Sequence, residues 1–214
     1  TEWKWEYQIT YEAIKSIREL HRESTLLEIG AGNGSFTKRV APEFIDKKNM
    51  LCTEFSEEGR KEIERYGVRC IADNVLDEQY SPDRKYTIIC MFQVLEHIED
   101  INKAFAQLNS LSMIGTNLFI GIPNDLGRAF YDGIGVIEDV PPIHLSRFSA
   151  ESLRIIARKY NWIVVDHRRQ KQNHLEKIRK YTYHKIRKYG LARNKVVKTN
   201  VVLHRIQQIY SVLR

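Results

Sequence analysis

Three glycines at alternate positions, Gly30, Gly32 and Gly34, follow directly on a short apolar run that carries one acid, Leu26-Leu27-Glu28-Ile29. A helical pattern begins near Ser35. Strand, glycine turn and helix in that order bring bare backbone against a nucleotide-like ligand, because the glycines turn sharply and put no Cβ in the way. The spacing is G-x-G-x-G, with the acid two residues before the first glycine. Dinucleotide binders use G-x-G-x-x-G, in which the third glycine falls one residue later. A tight turn in some other α/β protein would explain these glycines by themselves, so a ligand role for them needs support from the rest of the chain.

A second strand is expected over residues 49–55, and Glu54 near its end stands twenty residues past Gly34. An acid at about this distance accepts hydrogen bonds from a ribose, since one carboxylate takes both hydroxyls of the diol. The alternative is that Glu54 joins Glu57 and Glu58 in the acidic first turn of the next helix. A third strand over residues 68–72 ends at Asp73-Asn74, a pair that also suits a solvated turn. Tyr86–Phe92 is almost wholly apolar, the mark of a strand covered on both faces. Gln93 comes immediately after it. A fifth strand, Thr116–Ile122, stops at Pro123-Asn124, and Trp162–Arg168 reads as a sixth. Helical stretches over 56–66 and 100–111 lie between the strands. That alternation predicts an α/β fold of Rossmann-like, doubly wound type with a mostly parallel sheet. Ligands of such sheets sit at the carboxyl ends of the strands, where Gly30, Glu54, Asp73 and Gln93 all fall.

The glycine segment resembles motif I of the class I methyltransferases that use S-adenosylmethionine (SAM). Val94-Leu95-Glu96-His97-Ile98 resembles the V-L-E-H-[VI] segment of many small-molecule methyltransferases. Pro141-Pro142-Ile143-His144-Leu145-Ser146-Arg147-Phe148-Ser149 resembles their H-L-x-x-F-[ST] segment. The resemblance covers about residues 20–168. It implies SAM as cofactor, with Glu28, Gly30, Gly32, Gly34, Glu54, Asp73, Asn74 and Gln93 around it and Asp73 accepting from the adenine amino group. In two metal-assisted branches, the ubiquinone-pathway O-methyltransferases and the plant small-RNA 2′-O-methyltransferases, an E-x-x-E-H segment binds a divalent cation. Here Gln93 stands in place of the first glutamate, which removes one charge from a hard-cation site. Three readings stay open. Gln93, Glu96, His97 and His144 hold Mg²⁺ or Mn²⁺. Or Glu96 and His97 open a helix and His144 alone is a general base. Or His97 is structural.

The chemistry favours a hydroxyl acceptor. A methyl on positive sulfur leaves readily, so alignment of the acceptor is the larger contribution. A hydroxyl of high pKa also needs a base or a metal, whereas a neutral amine needs neither. Glu96, His97 and His144 are the candidate catalytic residues. Resemblance to small methyltransferases that act on glycans, together with the basic tail, implies as acceptor a sugar hydroxyl of a bacterial surface polysaccharide or lipid-linked glycan. An RNA 2′-O-methyltransferase and a non-catalytic SAM-binding scaffold are the alternatives.

The chain has 214 residues and a net charge of +7. Length favours one methyltransferase domain over residues 1–168, followed by a basic, helical extension over 169–214. The charge is uneven: residues 166–214 hold 14 Lys and Arg against 2 acids, while the rest is net acidic. In the tail, Leu175, Ile178, Thr182, Ile186 and Tyr189 form one helical stripe, and Val202, Ile206, Ile209 and Leu213 another. Such helices pack on the body or on a second subunit, dock on an anionic membrane, or grip nucleic-acid phosphates. Residues 124–148, with Arg128, Phe130, Tyr131, Asp132, Gly133 and Gly135, are expected to form a lid. Trp3, Trp5, Tyr7 and Tyr11 are expected to cap the cofactor pocket or pack against that lid. Cys52, Cys70 and Cys90 fall in or beside buried strands, as small core residues of a reducing compartment do. With no apolar run of spanning length and no signal pattern, the expected location is cytoplasmic, including the inner face of the membrane.

Overall fold

The computed structural model describes residues 3–17, 20–124 and 141–170, and the backbone of 207–213. Its centre is a seven-stranded sheet in the order β3-β2-β1-β4-β5-β7-β6. The strands are β1 (Leu26–Ile29), β2 (Met50–Thr53), β3 (Arg69–Ile71), β4 (Tyr86–Phe92), β5 (Ser112–Pro123), β6 (Ile163–Arg169) and β7 (Gln207–Leu213). The first five run parallel, and β7 inserts antiparallel between β5 and β6. Chain order reverses between β1 and β4. That switch point is where a doubly wound sheet opens a crevice for ligand.

Helices cover both faces. On one, Leu27, Ile29, Ile89, Met91, Leu118 and Ile120 pack against α4 (Ile101–Leu111) and α5 (Ala150–Lys159) through Phe105, Leu108 and Leu153. On the other, Leu26, Ile88, Phe92 and Phe119 meet α1 (Trp5–Lys15), α2 (Thr37–Val40) and α3 (Glu57–Arg65) through Tyr7, Ile14, Phe36, Val40 and Ile63. Trp162 is buried on the first face, and its indole N–H donates to Asn109 Oδ1 at 2.8 Å. A buried indole needs such a partner.

One row of side chains crosses the second face in register: Cys70, Cys52, Glu28, Cys90 and Phe119, on β3, β2, β1, β4 and β5. All are buried, and the three cysteines are free thiols. Small thiols on either side of Glu28 leave room for its carboxyl group and for Thr37 of α2.

Helix ends are fixed locally. Ser56 accepts from Gly59 N at 3.2 Å to start α3. Asp100 Oδ1 accepts from Asn102 N and Lys103 N to start α4, and Ser149 with Ser152 closes a capping box on α5. Each such cap contributes about 1 kcal/mol.

The stripe expected to be helical through Val202, Ile206, Ile209 and Leu213 needs correction over its last part. Residues 207–213 are β7, paired on both sides along the strand. Ile209, Tyr210 and Val212 have strand propensity, and two ladders of main-chain hydrogen bonds outweigh a helical spacing. The lysine-rich stripe before it, and residues 125–140 of the expected lid, lie outside the described residues. Among the described residues no helix is long and apolar enough to cross a membrane.

Candidate active site

The glycine turn leaves β1 with Gly30 at φ +68°, a left-handed conformation that costs other residues energy. A Cβ on Gly30 would stand 2.5 Å from Val94 Cγ2, so any side chain there would have to displace Val94 at the β4 exit. The turn is tied to β2. Ala31 N donates to Thr53 O at 2.9 Å, Gly30 N to Thr53 Oγ1 at 3.2 Å, and Gly32 N to Glu54 Oε2 at 2.7 Å. The other Glu54 oxygen accepts from Ser56 N at 2.8 Å. Gly59 of α3 lies so close under the turn that a Cβ would collide with the Gly32 carbonyl.

Glu28 lies beneath this turn, fully buried. Its carboxylate accepts from Thr37 N at 3.1 Å and from the Thr37 hydroxyl. Burial pushes its pKa up to about 7 against the pull of those hydrogen bonds. It therefore fixes the start of α2 and supports the turn from below.

At the carboxyl ends of β1, β2 and β3 a cavity of about 530 Å³ opens. Gly30, Glu54, Phe55, Asp73, Asn74 and Val94 line it, with His97 and Ile98 at the β4 side. Asp77, Glu78, Glu99 and Asp100 add acid to its wall, against one cation among the described residues, Lys103. Lys103 is held by Glu78 at 3.0 Å. Of the residues expected around a cofactor, Gly30, Glu54, Asp73 and Asn74 line this cavity. Glu28, Gly32, Gly34 and Gln93 stand behind or beside it.

Gln93, the residue after β4, has φ +60°, uncommon for a residue other than glycine. Its main-chain N–H donates to Gly121 O at 2.7 Å, while both side-chain amide atoms are buried without a hydrogen-bond partner. Next comes a single 3₁₀ turn, Leu95–His97, in place of a helix opening at Glu96. Leu145 N and Ser146 N both donate to Glu96 O, which straps the His144 segment onto that turn. The His97 and His144 rings meet edge to face with centroids 4.7 Å apart. One ligand atom from each of Glu96, His97 and His144 lies within 4.8 Å of the others. His97 Nδ1 is 2.6 Å from Ile143 O. A carbonyl only accepts, so Nδ1 donates and, in the neutral ring, Nε2 keeps its lone pair. The three expected catalytic residues thus come together from two segments, with Glu96 and His144 buried and His97 open to the cavity. Two imidazoles and a carboxylate at this separation fit a transition ion better than Mg²⁺, which prefers an all-oxygen shell, and Mn²⁺ stands at the hard end of that series.

The amino-terminal aromatics cap the second face. Tyr7 packs edge to face on Phe92 at 5.0 Å, and Trp3 stacks on Phe36 at 6.4 Å. Of Trp3, Trp5, Tyr7 and Tyr11, expected to cap the cofactor pocket or pack against the lid, none lines the cavity, and the expectation overlooks Glu6 of α1, which is fully buried. The signal was present: Trp3, Glu6, Tyr7, Thr10 and Ile14 share one helical stripe, and an acid on the buried side of such a stripe is anomalous.

A family model described as a methyltransferase domain matches residues 5–167. Among solved structures, the fold is similar to the YcgJ protein from Bacillus subtilis, at 12% identity and TM-score 0.64 over 98% of both chains. It is similar to N-methyltransferase NodS from Bradyrhizobium japonicum, at 16% identity and TM-score 0.61, over 98% of this chain and 96% of that one. Magnesium protoporphyrin IX methyltransferase from Synechocystis, solved with bound SAH, aligns at 14% identity and TM-score 0.65, over 97% of this chain and 81% of that one. No curated protein matches the chain by sequence.

Proposed function

The chain belongs to the methyltransferase domain family, and from that premise we propose that it moves the methyl group of SAM onto a hydroxyl oxygen, that of a sugar in a bacterial surface polysaccharide or lipid-linked glycan. The observation that carries the hydroxyl reading is the cluster of Glu96, His97 and His144 at the β4 exit. An acceptor amine that arrives neutral would leave that cluster without work.

In this reading the adenosine half of the cofactor occupies the acid-lined cavity. Glu54 faces the ribose, Asp73 and Asn74 face the base, and Gly30 leaves its backbone bare for the cofactor's arm. His97, oriented through Nδ1 by the Ile143 carbonyl, presents Nε2 toward the acceptor. His144 stands beside it and Glu96 supplies the negative charge that balances a proton or a cation. A divalent ion bound by these three side chains would lower the pKa of an acceptor hydroxyl and fix it in place. Without an ion, Nε2 of His97 or the His144 ring takes the acceptor proton directly. Vicinal sugar hydroxyls suit either arrangement, since one hydroxyl anchors while its neighbour reacts.

The test is transfer of labelled methyl from SAM to bacterial oligosaccharide fractions, using chelator-treated protein with and without added Mn²⁺. Label is expected in an alkali-stable methyl ether, with His144→Ala lowering turnover by about a hundredfold or more while SAM affinity stays within about twofold. Label recovered only as an N-methyl product would overturn the hydroxyl reading. Restoration of turnover by Mn²⁺ selects the metal-assisted form, and indifference to it selects the general base.

A further inference from the structure

Glu6 has no part in methyl transfer as derived from the histidine cluster. It sits in the first turn of α1, 0% exposed, and neither carboxylate oxygen has a hydrogen-bond partner. Burial pushes its pKa up to about 7. A buried acceptor with nothing to accept from is costly, and the cost is greatest for a carboxylate. Its neighbours explain where it stands. A Cβ on Gly121 of β5 would lie 3.5 Å from Glu6 Cγ and 3.1 Å from the Phe92 ring. The Glu6 stem thus packs over Gly121 at the carboxyl end of β5, and the neighbour that a side chain there would crowd is Phe92. The Gly121 carbonyl holds Gln93 N, and Gln93 is the second residue here with an unsatisfied buried side chain. Its left-handed backbone is the sort of local strain that functional sites retain.

The two orphans flank one peptide, and their position along the sheet is informative. Asp73 follows β3, Glu54 follows β2, Gly30 follows β1, Gln93 follows β4, and Glu6 stands over β5. These are five consecutive strands in the sheet order. At roughly 4.8 Å per strand the row spans about 19 Å. A ligand with its base at Asp73 and its ribose at Glu54 runs past Gly30 toward Gln93 and Glu6. What it must present there is a group of donors for an acceptor-only carboxylate and a partner for a primary amide. An α-amino acid offers both, an ammonium with three N–H bonds and a carboxylate. The sulfonium is the poorer match to Glu6. It has no N–H or O–H to donate, and a carboxylate against it would stabilise a charge that disappears during transfer.

We propose that Glu6 and Gln93 form the subsite for the zwitterionic end of the cofactor, with Glu6 accepting from the α-ammonium and the Gln93 amide donating to the α-carboxylate. The assignment rests on SAM being the cofactor. It makes α1 part of the binding site, so that the amino-terminal helix closes on the cofactor through a charged contact in addition to its aromatic packing.

Calorimetry with two ligands tests it without an acceptor. S-adenosylhomocysteine carries the amino-acid end, and 5′-methylthioadenosine lacks it. Glu6→Gln is expected to weaken S-adenosylhomocysteine by about tenfold or more while leaving 5′-methylthioadenosine within about twofold, and Glu6→Asp to recover part of the loss. Unchanged affinity for S-adenosylhomocysteine in Glu6→Gln would overturn the proposal. Equal loss of both ligands would also overturn it, by marking Glu6 as a structural residue. The apo melting temperature separates folding from binding, because removing an unpaired carboxyl leaves Glu6→Gln at least as stable as the parent. If the unsubstituted protein binds neither ligand, the cofactor reading itself falls and this subsite with it.

Discussion

At the scale of single residues, two glycines of the same turn are expected to behave differently. Gly30 and Gly32 both have positive φ, at +68° and +58°. A Cβ on Gly30 meets Val94, whereas one on Gly32 meets nothing within 4 Å. Gly32→Ala therefore carries only the backbone strain, about 1–2 kcal/mol. Gly30→Ala adds a displacement of Val94 at the cavity wall. Calorimetry with S-adenosylhomocysteine should rank Gly30→Ala well below Gly32→Ala, and the reverse order would refute the steric account. Glu6 and Glu28 set a second expectation. Both carboxyls are raised from 4.5 to about 7 in the fold, chiefly by burial. A raised carboxyl keeps its contribution to stability below pH 4.5 and loses it as the pH climbs through 7, by up to roughly 3 kcal/mol per group. The apo protein should melt lower at pH 8 than at pH 5, and Glu6→Gln should flatten that slope. A melting temperature that rises over this interval would show that neither group is held neutral.

Among the elements, the best-read ones were those whose signal is local. β4 spans the expected Tyr86–Phe92, and Asp100 and Ser56 cap the helices they precede. β7 was not legible, because what makes it a strand is pairing with β5 and β6, and its spacing of apolar residues suits a helix equally well. The turn at Leu95–His97 is a similar case. A helix opening at Glu96 and His97 is one of the three readings their residue types allow, and the backbone instead makes one 3₁₀ turn whose Glu96 carbonyl is taken by the strap from Leu145 and Ser146. The family-like acids were legible in position but less so in action. Glu54 spends its oxygens on Gly32 N and Ser56 N, contacts that depend on how the β1 and β2 exits meet. Removing the α4 cap with Asp100→Ala should cost about 1 kcal/mol, read as a shift in the urea midpoint with unchanged m-value. A cost near zero would mean that tertiary packing alone holds that end.

At the scale of the molecule, the cavity at the strand ends is a pool of negative charge among the described residues. Glu54, Asp73, Asp77, Glu78, Glu99 and Asp100 line it, against Lys103. Walls of one sign attract a cation from a distance, and salt weakens that attraction. SAM carries a net positive charge and S-adenosylhomocysteine does not. The association rate of SAM should therefore fall with ionic strength more steeply than that of S-adenosylhomocysteine, as stopped-flow fluorescence would record. Parallel salt dependences would remove the electrostatic account. The charge asymmetry of the sequence agrees with this at a coarse level, since the body is net acidic and the basic residues are concentrated late in the chain. The row of Cys70, Cys52, Glu28, Cys90 and Phe119 across five strands adds another consequence at this scale. Burial raises the pKa of all three thiols, Cys70 to about 11, so in the native state they are both shielded and protonated. A thiol reagent then reacts only when the sheet parts. The protein carries its own clock for opening, read strand by strand as β3, β2 and β4 release their sulfur atoms, with no label to be introduced.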